Sequence, residues 1–213
     1  SDDEEWDAKF DSADDNIKKI YVSSRLIKFI LDNLRFYMPN YIENLKPKYD
    51  RQFSIHKSVN KIVKIYSNDF KKKKVKIDFE GNSYKQIQGD KELFEIVLML
   101  LVENSIKYSR DPYSIHPRVK ISQDNIYNTV TISIQSYGNL IPDDDISKLF
   151  TRGFRSFVHS PNNDGTGMGL HNASKIIRLF NGELTYSKVG STPDDKVTGW
   201  NCFNIQIKVF VNP

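Results

Sequence analysis

The sequence predicts a layered α/β domain preceded by one long helix. Helical and strand patterns intermix from residue 55 onward, which calls for helices stacked on a sheet. A heptad-spaced apolar stripe stands alone ahead of that region. A glycine-rich loop over 164–169 runs into a strongly periodic helix. The expected divisions are 1–16, 17–54 and 55–213.

Residues 1–16 (SDDEEWDAKFDSADDN) are acidic, lack an apolar period and read as a flexible leader. Ile17, Ile20, Ser24, Ile27, Leu31, Leu34 and Met38 then step by three and four, broken only by Ser24. This predicts a helix that ends before Pro39, with Asp14 or Asn16 as its cap. So narrow a stripe packs on another helix: it covers the main domain of its own chain, or it is half of an oligomeric bundle. Residues 39–53, with Pro39 and Pro47, form a connector. A second helix over 56–70 carries Val59, Ile62, Val63, Tyr66 and Phe70 on one side. Lys71–Lys74 read as its solvated end, where cations suit the helix dipole.

Val75–Phe79 alternates as a strand, and Gly89-Asp90 opens a helix over 91–108. Segments 117–123 and 128–136 read as neighbouring strands around a turn at Asp124-Asn125. A short helix over 143–151 follows Pro142. The helix over 170–180 is closed by Asn181-Gly182. Strands over 183–189 and 202–211 flank a loop with Pro193 and Gly199.

The formal net charge of +4 is too mild and too mixed in sign for a dedicated nucleic-acid binder. The single Cys202 excludes an intramolecular disulfide and a multi-cysteine metal cluster, and fits a reducing compartment. No apolar run approaches the ~18–20 residues that span a bilayer, and no signal-peptide pattern opens the chain. A first residue of Ser rather than Met is expected of a segment of something longer. The expected location is the cytoplasm, with a membrane-anchored parent left open.

Three groups of residues point to chemistry. In ELFEIVLMLLVENSIKYSR, Asn104 shares the apolar face of Val97, Leu101 and Tyr108. A buried amide without partners is unfavourable by ~1–3 kcal/mol, so Asn104 bonds locally or faces a ligand or metal. Lys107 lies one turn further on and suits a phosphate. In Asp164-Gly165-Thr166-Gly167-Met168-Gly169-Leu170, glycine spacing lets backbone N–H groups turn towards an anion at a helix N-terminus. No Gly-Lys-Ser/Thr follows, so it is not a Walker loop, and no strand runs directly into it as a dinucleotide fingerprint requires. The third group is Ser136-Tyr137-Gly138-Asn139-Leu140-Ile141-Pro142, followed by Leu149-Phe150-Thr151-Arg152-Gly153-Phe154-Arg155, which reads as a cationic flap or as a surface loop with Phe anchors.

In this order the motifs resemble the ATP-binding domain of sensor histidine kinases, within the ATPase superfamily shared with DNA gyrase, heat-shock chaperones and mismatch-repair ATPases. ENSIKYS resembles the asparagine box, SYGNLIP the first glycine box, FTRGFR the phenylalanine box and GTGMGL the second glycine box. The resemblance covers about 55–210, and the heptad helix looks like the second helix of the kinase dimerisation hairpin. It implies a Bergerat-type fold: a two-layer α/β (α+β) sandwich with a mixed, mostly antiparallel sheet packed on helices. It also implies ATP and Mg²⁺ as cofactors. Asn104 would ligate the metal, Lys107 would contact phosphate, and Tyr108 would pack near the nucleotide. Ser136, Gly138 and Ile141 would line the adenine pocket. Gly165, Thr166, Gly167, Met168, Gly169 and Leu170 would wrap the phosphates, and Arg152 or Arg155 would reach the γ-phosphate.

The departures are specific. Leu100 stands where the family has a polar residue one turn before the metal asparagine. Ser136 stands where an Asp or Asn accepts the adenine amino proton, and Leu140 replaces a glycine. A neutral hydrogen bond in place of a charge-assisted one forfeits ~1–2 kcal/mol. No phosphoacceptor is recognisable among His56, His116, His159 and His171; His171 reads as structural. Three functions stay open: a kinase domain transferring phosphoryl to a histidine upstream or in trans, a degenerate relative that senses nucleotide or docks a partner, and another superfamily ATPase. Expected partners are ATP or ADP, a phosphoacceptor histidine domain, a response regulator and a second copy through the N-terminal helix, with no nucleic acid.

Overall fold

The computed structural model describes residues 8–35, 38, 41–42, 44–46, 52–67, 76–111, 114–156, 166–190 and 197–209. Helix α1 covers 8–12, and α2 is Asp15–Arg35. Then come β1 (Gln52–Ser54), α3 (Ile55–Ser67), β2 (Asp78–Gly81), β3 (Gln86–Gln88), α4 (Lys91–Lys107), β4 (Arg118–Asp124) and β5 (Thr129–Asn139). The rest are α5 (Asp143–Ile146), α6 (Gly169–Arg178), β6 (Gly182–Gly190) and β7 (Thr198–Lys208).

The main sheet runs β2-β4-β5-β7-β6, with β2 parallel to β4 and every other pair antiparallel. This is the mixed, mostly antiparallel sheet expected. Period-2 alternation in β4, β5 and β7 turns Val119, Ile121, Val130, Ile132, Ile134, Phe203, Ile205 and Ile207 inward. They form one core with Ile62 of α3, Val97 and Leu101 of α4, and Ile176 and Ile177 of α6. Asp90 caps α4 by accepting from the Glu92 and Leu93 amides at 3.1 and 3.3 Å. Every residue of α4 from Leu93 to Val102 is buried, because the sheet lies on one side and α2 on another.

Asp14 caps α2, accepting from the Asn16 and Ile17 amides at 2.7 and 3.0 Å. The heptad stripe does not hold α2 to the domain: Ile17, Ile20, Ile27, Leu31, Leu34 and Met38 are 55–70% exposed. Val22 and Phe29, on the other side, are buried instead. Charges complete that contact: Arg25 meets Glu95 at 2.7 Å and Lys28 meets Glu92 at 2.9 Å. Glu95 is buried and also accepts from Lys61 at 3.1 Å. Burial holds the Lys61 ammonium below its ordinary pKa, with Glu95 pulling the other way.

Several local expectations change. Within the acidic leader, 8–12 is helical and Phe10 is buried edge-to-face on Tyr21 at 5.7 Å, while Asp11 pairs with Lys64 at 2.9 Å. One aromatic among acids is too sparse to make a period, yet it carries the burial. The small β1–β3 sheet was not expected; each strand has three residues, too few to alternate. The helix expected over 143–151 shrinks to α5, followed by turns. Strand β2 starts at Asp78 rather than Val75, and β7 starts four residues early, at Thr198. Pro39, Pro47, Phe70, Lys71–Lys74, Val75, His159, Gly165 and Pro193 lie outside the described residues.

Candidate functional site

The motif stretches, far apart in sequence, meet around the C-terminal end of α4. Asn104 is half-buried on α4, facing the N-terminus of α6. A Cβ built on Gly169 would lie 3.7 Å from Leu100 Cδ2 and 4.0 Å from Asn104 Nδ2. The first turn of α6 has no side-chain cap, so its N–H groups and the positive end of its dipole face the same space. Leu100, one turn before Asn104, is buried and also faces Gly169.

The flap joins through backbone. The Gly153 N–H donates to the Gly167 carbonyl at 3.1 Å. Gly167 has φ +67°, and a Cβ there would lie 2.6 Å from the Gly153 carbonyl carbon. His171 Nδ1 lies 2.9 Å from the Phe150 carbonyl, a structural tether as expected. Arg152 and Arg155 are exposed on the flap, and Thr166 Oγ1 accepts from the Met168 amide at 3.4 Å. Gly167→Ala combines a strained φ with a backbone clash. It is expected to part flap from loop, read as faster proteolytic cleavage within the flap.

The first glycine box closes on the end of α4. A Cβ on Gly138 would lie 2.7 Å from the Tyr108 carbonyl oxygen, and the Arg110 N–H donates to the Tyr137 carbonyl at 2.9 Å. Lys107 is exposed on the last turn, its Nζ 5.4 Å from the Tyr108 ring centre. Beneath, the inward pairs of β5 and β7 change character along the strands. Val130 faces Ile207, Ile132 faces Ile205 and Ile134 faces Phe203; then Ser136 faces Asn201, and Gly138 faces Gly199. An apolar ladder thus ends in a buried polar pair and two glycines packed against backbone, Gly138 on Tyr108 and Gly199 on Val189.

Three residues brace this end and were not singled out from the sequence: Asn201, Tyr186 and Lys188. Asn201 Oδ1 accepts from the Tyr186 hydroxyl at 2.6 Å and the Ile141 N–H at 3.4 Å, and its Nδ2 donates to the Asn139 carbonyl at 3.0 Å. Lys188 Nζ donates to the Ile141 carbonyl at 2.7 Å and pairs with Asp143 at 2.7 Å. Counting back by twos from Ile207, Ile205 and Phe203 would have placed Asn201 inward. Burial pushes the Tyr186 phenol up to about 12 from 10.0. Its folded pKa is raised, so its contribution is complete below pH 10.0 and is lost as pH rises through about 12. Absorbance titration should find a tyrosinate that appears only near that pH, and Tyr186→Phe should remove it.

The site offers a neutral amide, a helix N-terminus and a glycine loop for an anion, beside the buried polar end of the β5–β7 ladder. That is the composition of a nucleotide site of the ATPase kind. The chain belongs to the histidine kinase-, DNA gyrase B- and HSP90-like ATPase family, whose pattern matches residues 89–209. It is a histidine-kinase-type ATP-binding domain. Curated relatives include the signal transduction histidine-protein kinase ArlS of Staphylococcus haemolyticus, 27% identical over 57% of this chain and 25% of ArlS. The sensor protein CreC of Escherichia coli is 30% identical over 48% of this chain and 21% of CreC. The chain therefore spans about a quarter of the length of these relatives. Among solved structures, the mycobacterial sensor histidine kinase MprB shares the fold at TM-score 0.58 and 18% identity, covering 75% of this chain and 98% of that one. The Acinetobacter baumannii histidine kinase AdeS does so at 0.58 and 20%, covering 92% and 84%.

Proposed function

We propose that this domain binds Mg–ATP and passes its γ-phosphoryl to a histidine outside the chain, as the catalytic part of a two-component sensor kinase. The approach of Gly169 to Asn104 carries the proposal, since it sets a helix N-terminus and a carboxamide around one space. The triphosphate would lie at the N-terminus of α6 within Thr166, Gly167, Met168, Gly169, Leu170 and the adjoining Gly165. Lys107, Arg152 and Arg155 would supply cations. Tyr108, Ser136, Gly138 and Ile141 would bound the base.

Among the described residues no group of three His, Cys, Asp or Glu side chains comes together to hold a metal. One carboxamide oxygen at Asn104 suits Mg²⁺, which keeps waters and takes its other ligands from phosphate. When bound, the ion would neutralise phosphate charge. Leu100 leaves no acid or base one turn before Asn104 to activate water, which favours transfer to a protein acceptor over hydrolysis. The same residue favours a second function, a nucleotide sensor without turnover.

The exposed α2 stripe suits a second copy of the chain, and the upstream or trans histidine domain and a response regulator complete the proposed partners. Among the described residues no helix is long and apolar enough to cross a membrane, and a cytoplasmic site of action fits the proposal. Titration with ATP, with and without Mg²⁺, should give metal-dependent binding. Incubation with a histidine acceptor domain should then give acid-labile phosphate. Binding without phosphate would favour the sensor; no binding would refute both.

A further inference from the structure

We infer that His171 is a positioning residue of this site: through the flap it holds the glycine loop in the shape that receives an anion. This rests on the nucleotide site proposed above, and adds to it the residue that pre-forms the loop.

Flap and loop meet at two left-handed glycines. Gly153 has φ +76° and Gly167 has φ +67°, and the Gly153 N–H donates to the Gly167 carbonyl at 3.1 Å. Glycine reaches such angles freely but is not confined to them. Ordering the loop only when a ligand arrives would weaken binding. One hydrogen bond between the two backbones is a modest hold.

His171 supplies a second one. It stands on the first turn of α6, two residues beyond Gly169, whose Cβ position faces Asn104. Its Nδ1 lies 2.9 Å from the Phe150 carbonyl. A carbonyl only accepts, so Nδ1 carries the hydrogen. The two bonds bracket residues 150–153, one anchored on the helix and the other on the loop. Inside the bracket the Thr151 N–H donates to the Lys148 carbonyl at 2.8 Å. Just past it the Phe154 N–H donates to the Thr151 carbonyl at 3.2 Å.

The same stretch is also held from within. Leu149 is buried, and Phe150 and Phe154 pack on the core. Further along, the Ser156 hydroxyl donates to Asp145 at 2.7 Å. This part of the flap is therefore placed before any ligand arrives. The helix that holds it is the one whose N-terminus faces Asn104. Loss of the His171 bond removes no ligand contact. It lowers the fraction of molecules whose loop is ready, and apparent affinity falls with that fraction.

The test is a series at position 171 of the full chain, read by amide hydrogen exchange without nucleotide and by titration with Mg–ATP. In the wild type the Gly153 N–H should exchange slowly. His171→Ala should speed that exchange and weaken Mg–ATP by about threefold or more, within the worth of one hydrogen bond. His171→Asn sets an N–H as many bonds from the backbone as Nδ1, and should keep both readings near the wild type. His171→Phe keeps a ring without the donor, and should behave as alanine does. Rescue by phenylalanine and not by asparagine would mean that the ring merely fills space, which overturns the inference. Faster exchange with unchanged Mg–ATP binding also overturns it, and leaves the nucleotide site standing. Should a variant fail to fold, the wild type still decides: a Gly153 N–H that exchanges freely overturns the inference. Failure of the wild type to bind Mg–ATP overturns the nucleotide reading and the inference with it.

Discussion

Asn104→Ala is expected to abolish Mg²⁺-dependent ATP binding, weakening it by about a hundredfold or more. Any phosphoryl transfer should disappear with it. The carboxamide stands beside Gly169 at the mouth of α6, where the triphosphate would lie. Alanine keeps the helix, because it has the strongest helix propensity and Asn104 is only half-buried. The folded state should therefore change by less than about 1 kcal/mol. Binding measured with and without metal, beside a thermal melt, separates the two effects. A variant that folds normally and still binds ATP in a metal-dependent way would remove Asn104 from the metal site.

The second large effect falls on stability. Glu95→Gln should lower the unfolding free energy by about 3 kcal/mol, because it removes the counter-charge of two part-buried cations, Arg25 and Lys61. Glu95 has a 3% exposed side chain and meets Arg25 at 2.7 Å and Lys61 at 3.1 Å. Arg25 Nε is already buried without a hydrogen-bond partner, so the arrangement depends heavily on the carboxylate. Since Arg25 comes from α2 and Lys61 from α3, the loss should also loosen α2 from the domain. Denaturant midpoints check the magnitude, and proteolysis within α2 checks the loosening. Replacing Arg25, Lys61 and Glu95 together by Met, Met and Leu should recover most of the loss; failure to recover would mean that burial of charge is not the cause.

The pH dependence has a definite sign. The folded pKa of Lys61 lies below its ordinary 10.5, so the stability linked to it is present above 10.5 and lost as pH falls through the folded value. Removing the Glu95 charge takes away an attraction that opposes desolvation. The Lys61 pKa should fall further, and the variant should gain more from alkaline pH than the wild type.

Much of the fold was legible because it follows from local periods. The alternation of NTVTISIQS gave β5, and the Asp90 cap with its apolar run gave α4. Asp124 gave the β4–β5 turn by accepting from the amides of Ile126 and Tyr127. The candidate site was legible where its motifs need special residues, as Gly167 does with a positive φ against the flap. What escaped was short, or polar in an apolar pattern. Strands β1 and β3 carry one buried residue each, Phe53 and Ile87, and no period survives at that length. Asn201 was passed over because Gly199, Trp200 and Asn201 interrupt the alternation that Phe203, Ile205 and Ile207 keep.

The heptad stripe marks the boundary most sharply. The sequence by itself determined that α2 is a helix with an apolar seam, since spacing of three and four is a property of one segment. Only the tertiary structure decided which side faces the domain. There Val22 and Phe29 are buried, Arg25 meets Glu95 of α4, and the seam is left exposed. The physical reason is complementarity, which belongs to two surfaces at once. Glu95 selects the face that carries Arg25, and no period within α2 encodes where Glu95 will be. The same holds at the site: the residue types announced a nucleotide, while strand register alone set Asn201 opposite Ser136.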